Sequence, residues 1–365
     1  MSQLRARLGI LTAALGSMAL TLAVAAETAP ATASGPHAAL PSVDSKQFSE
    51  SPATLTNGVK GEVVRIQSAS PEDYGPLLRG ELGSPVLLTA QLFMPAGARG
   101  ALAAVIETPG SGNLGTHHLA HAATLTSAGI AVLLIDPFYA RHVRNTIADQ
   151  SQVSWAASAY DVLAAVKYLR SRNEIDPERI GATGGSRGGT AVLMAETAPV
   201  SDAVLGKGHG LRAVVAGYPW CGVQFRSAHL ADHAALLILQ GDRDDWVSLL
   251  QCQDEAHALE VAGQDALLKV FPGARHAFDR ADVPPTPIAE AVTSTIFPTI
   301  YMDDAGRYFD LRTGEVSATL SAAELTRYSI EGGFLHKGVT IGSEGNQARD
   351  FSAEMLSFFQ SRLRK

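Results

Sequence analysis

A serine hydroxyl becomes a nucleophile only when a base takes its proton and a third group orients that base. The chain places one serine in a setting built for this. In Arg179-Ile180-Gly181-Ala182-Thr183-Gly184-Gly185-Ser186-Arg187-Gly188-Gly189-Thr190, a short apolar run leads into a glycine-rich turn. A helical pattern from Thr190 to Glu196 follows at once. The spacing Gly184-x-Ser186-x-Gly188 predicts a sharp strand-to-helix turn with Ser186 at its tip. The flanking residues come too close for side chains, and the helix N-terminus favours negative charge developing on a substrate. On its own the spacing also fits a surface turn. What points to catalysis is an acid and a histidine downstream, in that order.

The acid lies in Gly241-Asp242-Arg243-Asp244-Asp245-Trp246-Val247, after an apolar run. Asp244 is the preferred residue and Asp245 the next. The base is His276, in Phe271-Pro272-Gly273-Ala274-Arg275-His276-Ala277-Phe278-Asp279. An oxyanion needs two donors. The N–H of Arg187 is one; the other is expected near Ser111, in the loop Thr108-Pro109-Gly110-Ser111-Gly112-Asn113. His117, His118 and His121 share a helix face, but no acidic or thiol ligand lies near them in sequence. They read as partly exposed residues beside a pocket mouth, with no metal site.

The elements that must position these residues alternate. Strands are expected at Glu62–Gln67, Leu87–Met94, Leu102–Glu107, Ile130–Ile135, Leu211–Gly217, Ala235–Gln240 and Leu267–Phe271, beside the strand entering Ser186. Helices are expected at His117–Ala128, Ser154–Arg172, Gln251–Val261 and Asn346–Arg362. Apolar strands alternating with helices imply a mostly parallel sheet covered on both faces. Ligands bind such sheets at the carboxyl ends of the strands, and there the polar features fall. Residues 280–345 break the alternation. A hairpin of Ile300–Asp303 and Tyr308–Leu311, and a short helix Ser321–Tyr328 with Glu324 in a capping box, are expected within them. This insertion leaves beside His276, so it is either a pocket wall or a peripheral decoration or subunit contact.

The 365 residues suffice for one large domain or two modest ones. A net charge of −7 with no long basic run argues against nucleic acid as a partner. Residues 1–25 read as a signal peptide: Arg5 and Arg7 precede the apolar stretch Leu8–Val24, and Ala23-Val24-Ala25 offers a cleavage site. No membrane span is expected to remain after cleavage. Residues 26–55 read as a disordered mature N-terminus, and residues 56–365 as the folded domain. An exported chain with two cysteines permits one disulfide between Cys221 and Cys252; two separate buried thiols are the alternative.

Taken together, these stretches resemble the dienelactone hydrolase family. The matching parts are Pro109-Gly110-Ser111-Gly112, Asp136-Pro137-Phe138, Gly184-Gly185-Ser186-Arg187-Gly188-Gly189, Tyr218-Pro219-Trp220-Cys221, Gly241-x-x-Asp244-Asp245-Trp246 and Phe271-Pro272-Gly273-Ala274-x-His276-Ala277-Phe278. The resemblance implies an α/β-hydrolase fold: a mostly parallel central sheet with helices on both faces and one inserted segment late in the chain. Dienelactone hydrolases proper use cysteine where this chain has Ser186. The expected protein is a periplasmic or secreted serine hydrolase acting on a small carboxylic ester, with no cofactor. A peptidase or acyl thioesterase of the same mechanism, or an inactive binding protein of the same fold, are the alternatives.

Overall fold

A computed structural model describes residues 40–317 and 319–364. The expected signal peptide 1–25 and residues 26–39 lie outside the described residues. From Leu40 onward the chain clusters as one unit. This corrects the expectation of disorder for residues 40–55, and the domain start at 56. Asp44 caps helix α1 (Ser45–Glu50) by accepting from Gln47 N, and Phe48 and Leu55 are buried. Apolar side chains this close behind a Pro- and Ala-rich stretch are enough to anchor the segment.

Strand β1 (Gly61–Ser70), helix α2 (Tyr74–Leu78) and strand β2 (Ser84–Phe93) come next. Then follow β3 (Leu102–Thr108), α3 (Thr116–Ser127), β4 (Ala131–Asp136), α4 (Trp155–Arg170), β5 (Ile175–Gly185), α5 (Arg187–Glu196), α6 (Ala198–Leu205) and β6 (Ala213–Gly217). The later part holds β7 (Val223–Phe225), β8 (Ala235–Gly241), α7 (Leu249–Val261) and β9 (Asp265–Phe271). The insertion carries β10 (Thr286–Thr293), β11 (Ile300–Met302), α8 (Ala322–Glu331) and β12 (His336–Ile341), and α9 (Gln347–Arg362) ends the chain.

Eight strands form one sheet in the order β1-β2-β4-β3-β5-β6-β8-β9. The pairs β1/β2 and β2/β4 are antiparallel, and every other pair is parallel. Every residue of β4, β6 and β8 is buried, because helices cover both faces. Side-chain alternation divides the core accordingly. Leu133, Val214, Leu236 and Ile238 pack with Val162, Val166 and Leu193 of α4 and α5 on one face. Val132, Val215, Leu237 and Leu239 pack with Leu125, Phe351 and Phe359 of α3 and α9 on the other. Burying one such aliphatic side chain contributes about 1.5–3 kcal/mol. The sheet is therefore a rigid base for the loops at its carboxyl edge.

The insertion differs from its expected form. Its first hairpin arm, β11, finds its ladder partner in β7, in parallel. The Asp303–Arg307 turn does form, but Tyr308 returns only as an isolated bridge to Met302, its hydroxyl donating to Asp73. Strands β10 and β12 pair antiparallel, and the segment closes on the carboxyl edge of the sheet: Gly342 N donates to His276 O at 2.8 Å. Among the described residues no helix is long and apolar enough to cross a membrane.

Cys221 and Cys252 are joined by a disulfide and buried, tying the segment after β6 to α7 across 31 positions. Closing a loop of this length stabilises by about 2–4 kcal/mol. The double variant Cys221→Ser/Cys252→Ser should lose that amount in urea unfolding. A variant with an unchanged midpoint would show that the bridge contributes nothing.

Candidate active site

Ser186 sits between the end of β5 and the start of α5 with φ 56° and ψ −122°, a conformation that costs about 1–3 kcal/mol for a non-glycine residue. The surrounding glycines make it feasible. A Cβ on Gly184 would lie 2.6 Å from the carbonyl carbon of Gly188, and one on Gly189 would lie 2.6 Å from Gly217 O. Three other residues around the site, Asn113, Tyr218 and Ala277, also have positive φ. Backbone strain thus gathers where the side chains converge.

The structure brings Ser186, His276 and Asp244 together. His276 Nε2 is 2.8 Å from Ser186 Oγ, and His276 Nδ1 is 2.8 Å from Asp244 Oδ2. A carboxylate only accepts, so Nδ1 carries the proton and Nε2 is free to accept from the serine. The Asp244 and His276 side chains are 0% and 1% exposed, which strengthens their attraction. Asp244 also accepts from Trp246 N at 2.9 Å, Val247 N at 3.1 Å and Gln240 Nε2 at 3.0 Å. Four donors hold one carboxylate and so fix the imidazole. Asp245 instead accepts from Thr340 N, and Asp242 from Gly273 N. The geometry therefore separates the neighbouring acids. Trp246 and Tyr218 pack against the imidazole, with ring centroids 4.7 and 4.8 Å away.

Arg187 opens α5, so its N–H has no acceptor within the helix. Ser111 lies in the loop after β3, and Gly110 abuts Ser186: a Cβ there would be 3.2 Å from the serine Cβ. Gln150, for which the sequence carries no signal, links the two candidate oxyanion residues. Its Oε1 accepts from Arg187 Nε at 3.0 Å, and its Nε2 donates to Ser111 Oγ at 3.0 Å. The Arg187 guanidinium also donates to Val153 O and Ser158 Oγ and lies 4.1 Å above the Trp155 ring. Gln150 is thus placed to position both. Gln150→Ala is expected to lower kcat by roughly ten- to a hundredfold with KM little changed, less than the loss of an oxyanion donor itself. Unaltered kcat would remove it from this role.

Behind the imidazole lies a buried polar network. Tyr218 OH donates to Asp279 Oδ1 at 2.7 Å, and His121 Nδ1 is 3.0 Å from Glu107 Oε1. This corrects the expected partial exposure for two of the three histidines: His118 and His121 are buried, because the α3 face carrying them packs on the sheet, while His117 is partly exposed. Burial lowers the His118 pKa to about 3. Burial also acts to lower that of His121, but the hydrogen bond and charge of Glu107 outweigh it and the pKa rises. Glu107 is pushed up by burial, against the hydrogen bond from His121. Among the described residues no group of three His, Cys, Asp or Glu could hold a metal ion.

Two cavities meet at Ser186. The larger, about 570 Å3, is walled by Trp155, Trp220, Trp246 and Tyr74 from the core and by Phe297 and Leu325 from the insertion. The smaller, about 50 Å3, is lined by Gly110, Ser111, Tyr218, His276, Arg280 and Ile341. The insertion therefore forms a wall of the larger cavity. Asp73 ties that wall down, accepting from Tyr308 OH at 2.6 Å and Ala322 N at 3.0 Å.

The sequence profile of the Dienelactone hydrolase family matches residues 88–294, more than half of the chain, and the chain belongs to that family of hydrolases. Over 187 residues it is 29% identical to the uncharacterised peptidase YuxL of Bacillus subtilis (strain 168), covering 44% of this chain and 28% of that protein. The chain thus spans less than a third of that relative's length. Over 186 residues it is 26% identical to a candidate 2-oxo-3-(5-oxofuran-2-ylidene)propanoate lactonase of Bradyrhizobium sp, covering 49% of this chain and 74% of the relative. A solved structure of a candidate dienelactone hydrolase from Klebsiella pneumoniae shares the fold, with a TM-score of 0.50, 17% identity, and coverage of 82% of this chain and 99% of that one. The matched profile ends before Phe297, Tyr308 and Leu325.

Proposed function

We propose that this chain is an exported serine hydrolase that cleaves a carboxylic ester through an acyl-enzyme. The observation that carries this reading is the unbroken relay Asp244–His276–Ser186, with both links at 2.8 Å. Ser186 Oγ attacks the ester carbonyl while its proton passes to His276 Nε2. Asp244 holds the tautomer that can accept this proton and stabilises the imidazolium once it forms. The N–H groups of Arg187 and Ser111 receive the negative charge on the carbonyl oxygen. Water then releases the acyl group by the same steps. No group beyond these residues and water is required.

Export to the periplasm or the medium is part of the proposal. It is supported by the charged and apolar pattern of residues 1–25 and by the Cys221–Cys252 disulfide, a bond of oxidising compartments. The partner is a small molecule. The similarity to a peptidase supports a second reading, amide cleavage by the same residues.

A panel of esters, thioesters and peptide anilides matched in acyl group tests the proposal. Ester turnover should exceed anilide turnover at least about a hundredfold, a difference of roughly 2.7 kcal/mol in barrier. Faster cleavage of the anilides would replace the ester reading with the peptidase one.

A further inference from the structure

The two cavities at Ser186 are unequal, and which of them His276 faces assigns the two halves of the substrate. We propose that the enzyme takes esters with a bulky apolar acyl group and a short alcohol group. This rests on the ester hydrolysis proposed above and adds the substrate class.

Ser111, Ser186 and Trp246 line both cavities, so the scissile carbonyl sits at their junction. His276 lines only the smaller one. The chemistry fixes what belongs on that side. A bond forms between Ser186 Oγ and the carbonyl carbon, and the serine proton moves to His276 Nε2. On collapse, the bond from that carbon to the alcohol oxygen breaks, its electron pair stays on the oxygen, and the proton on Nε2 passes to it. The leaving oxygen must therefore lie within hydrogen-bond reach of Nε2, and the alcohol carbons continue into the cavity beside His276. The acyl carbons point the other way. Deacylation repeats the path: a water loses its proton to Nε2 as its oxygen bonds to the acyl carbon. The bond to Oγ then breaks, and the proton returns to the serine.

The volumes set the sizes. One water needs roughly 10–15 Å3 of such volume, so the smaller cavity of about 50 Å3 surrounds only a few non-hydrogen atoms. The larger, at about 570 Å3, falls within the range of pockets that enclose drug-sized ligands. Its character is apolar. Of the charged residues along its lining, the buried Arg187 guanidinium bonds to Gln150, Val153 and Ser158, and Asp73 bonds to Tyr308 and Ala322. The other charged residues along its lining, Glu72, Asp149 and Lys337, are exposed. Phe297, Tyr308 and Leu325 bring the insertion to the acyl side, so this segment selects the acyl group.

The test compares two isomeric esters, methyl octanoate and heptyl acetate, which contain the same atoms divided oppositely about the carbonyl. Acid release by the full chain is followed in a pH-stat, beside fluorophosphonate labelling of Ser186. The kcat/KM for methyl octanoate should exceed that for heptyl acetate by about a hundredfold, the scale at which pockets discriminate by size. A ratio below about ten, or an inverted one, overturns the assignment. Labelled Ser186 with neither ester cleaved also overturns it, while leaving the serine hydrolase standing. An unlabelled Ser186 removes the serine mechanism and this proposal together. As a second variant, Val223→Trp places an indole in the larger cavity and should lower the methyl octanoate to methyl acetate ratio at least about tenfold. An unchanged ratio in the folded variant contradicts the acyl assignment. If that variant does not fold, the isomeric pair decides.

Discussion

Ser186→Ala and His276→Ala are each expected to lower kcat on an ester by about a million-fold, and the double variant by no more. In the proposed mechanism the two side chains act as one unit. Without Oγ there is nothing to acylate; without the imidazole, the Oγ proton has no acceptor, since Ser186 Oγ has its partner in His276 Nε2. The alanine variants should keep a residual rate from the oxyanion donors alone. Their folding should be intact, because the β5–α5 turn is held by Gly184, Gly188 and the bond from Ser186 N to Gly217 O. Losses that multiply in the double variant would mean that the two residues act independently, contrary to the relay.

Asp244→Asn is the second large effect, roughly ten-thousand-fold in kcat. Its carboxylate accepts from His276, Gln240, Trp246 and Val247 at once. An amide has one accepting oxygen. With that oxygen on the backbone N–H groups, the NH2 faces His276 and favours the tautomer protonated on Nε2, which cannot accept from Ser186. Asp245→Asn and Asp242→Asn touch only Thr340 N and Gly273 N and should change kcat less than about tenfold. Steady-state kinetics of the three variants checks this. A larger loss in Asp245→Asn than in Asp244→Asn would move the acid by one position.

The sequence exposes what is buried on both sides and hides what is assembled at edges. Strands β4, β6 and β8 were legible because cover on both faces leaves an unbroken apolar run. Ser186 was legible because close backbone approach demands glycine on both sides. Strands β10 and β12 were not: their burial is irregular, and one reaches the other only across a long connection. Gln150 and Gln240 gave no signal, since an amide in a loop or at a strand end looks alike whether it faces solvent or a carboxylate. The burial of His118 and His121 was missed because helical spacing names a face but not what it packs against. The order of Phe48 and Leu55 was missed because the composition of the preceding stretch outweighed two apolar residues.

Covalent trapping shows whether Ser186 is an activated nucleophile. The protein is treated with a fluorophosphonate and digested, and the modified peptide is read by mass spectrometry. One adduct per chain is expected, on Ser186, with its formation strongly slowed in His276→Ala and Asp244→Asn. An unmodified Ser186, or an adduct on another serine formed at the same rate in all three proteins, would contradict it.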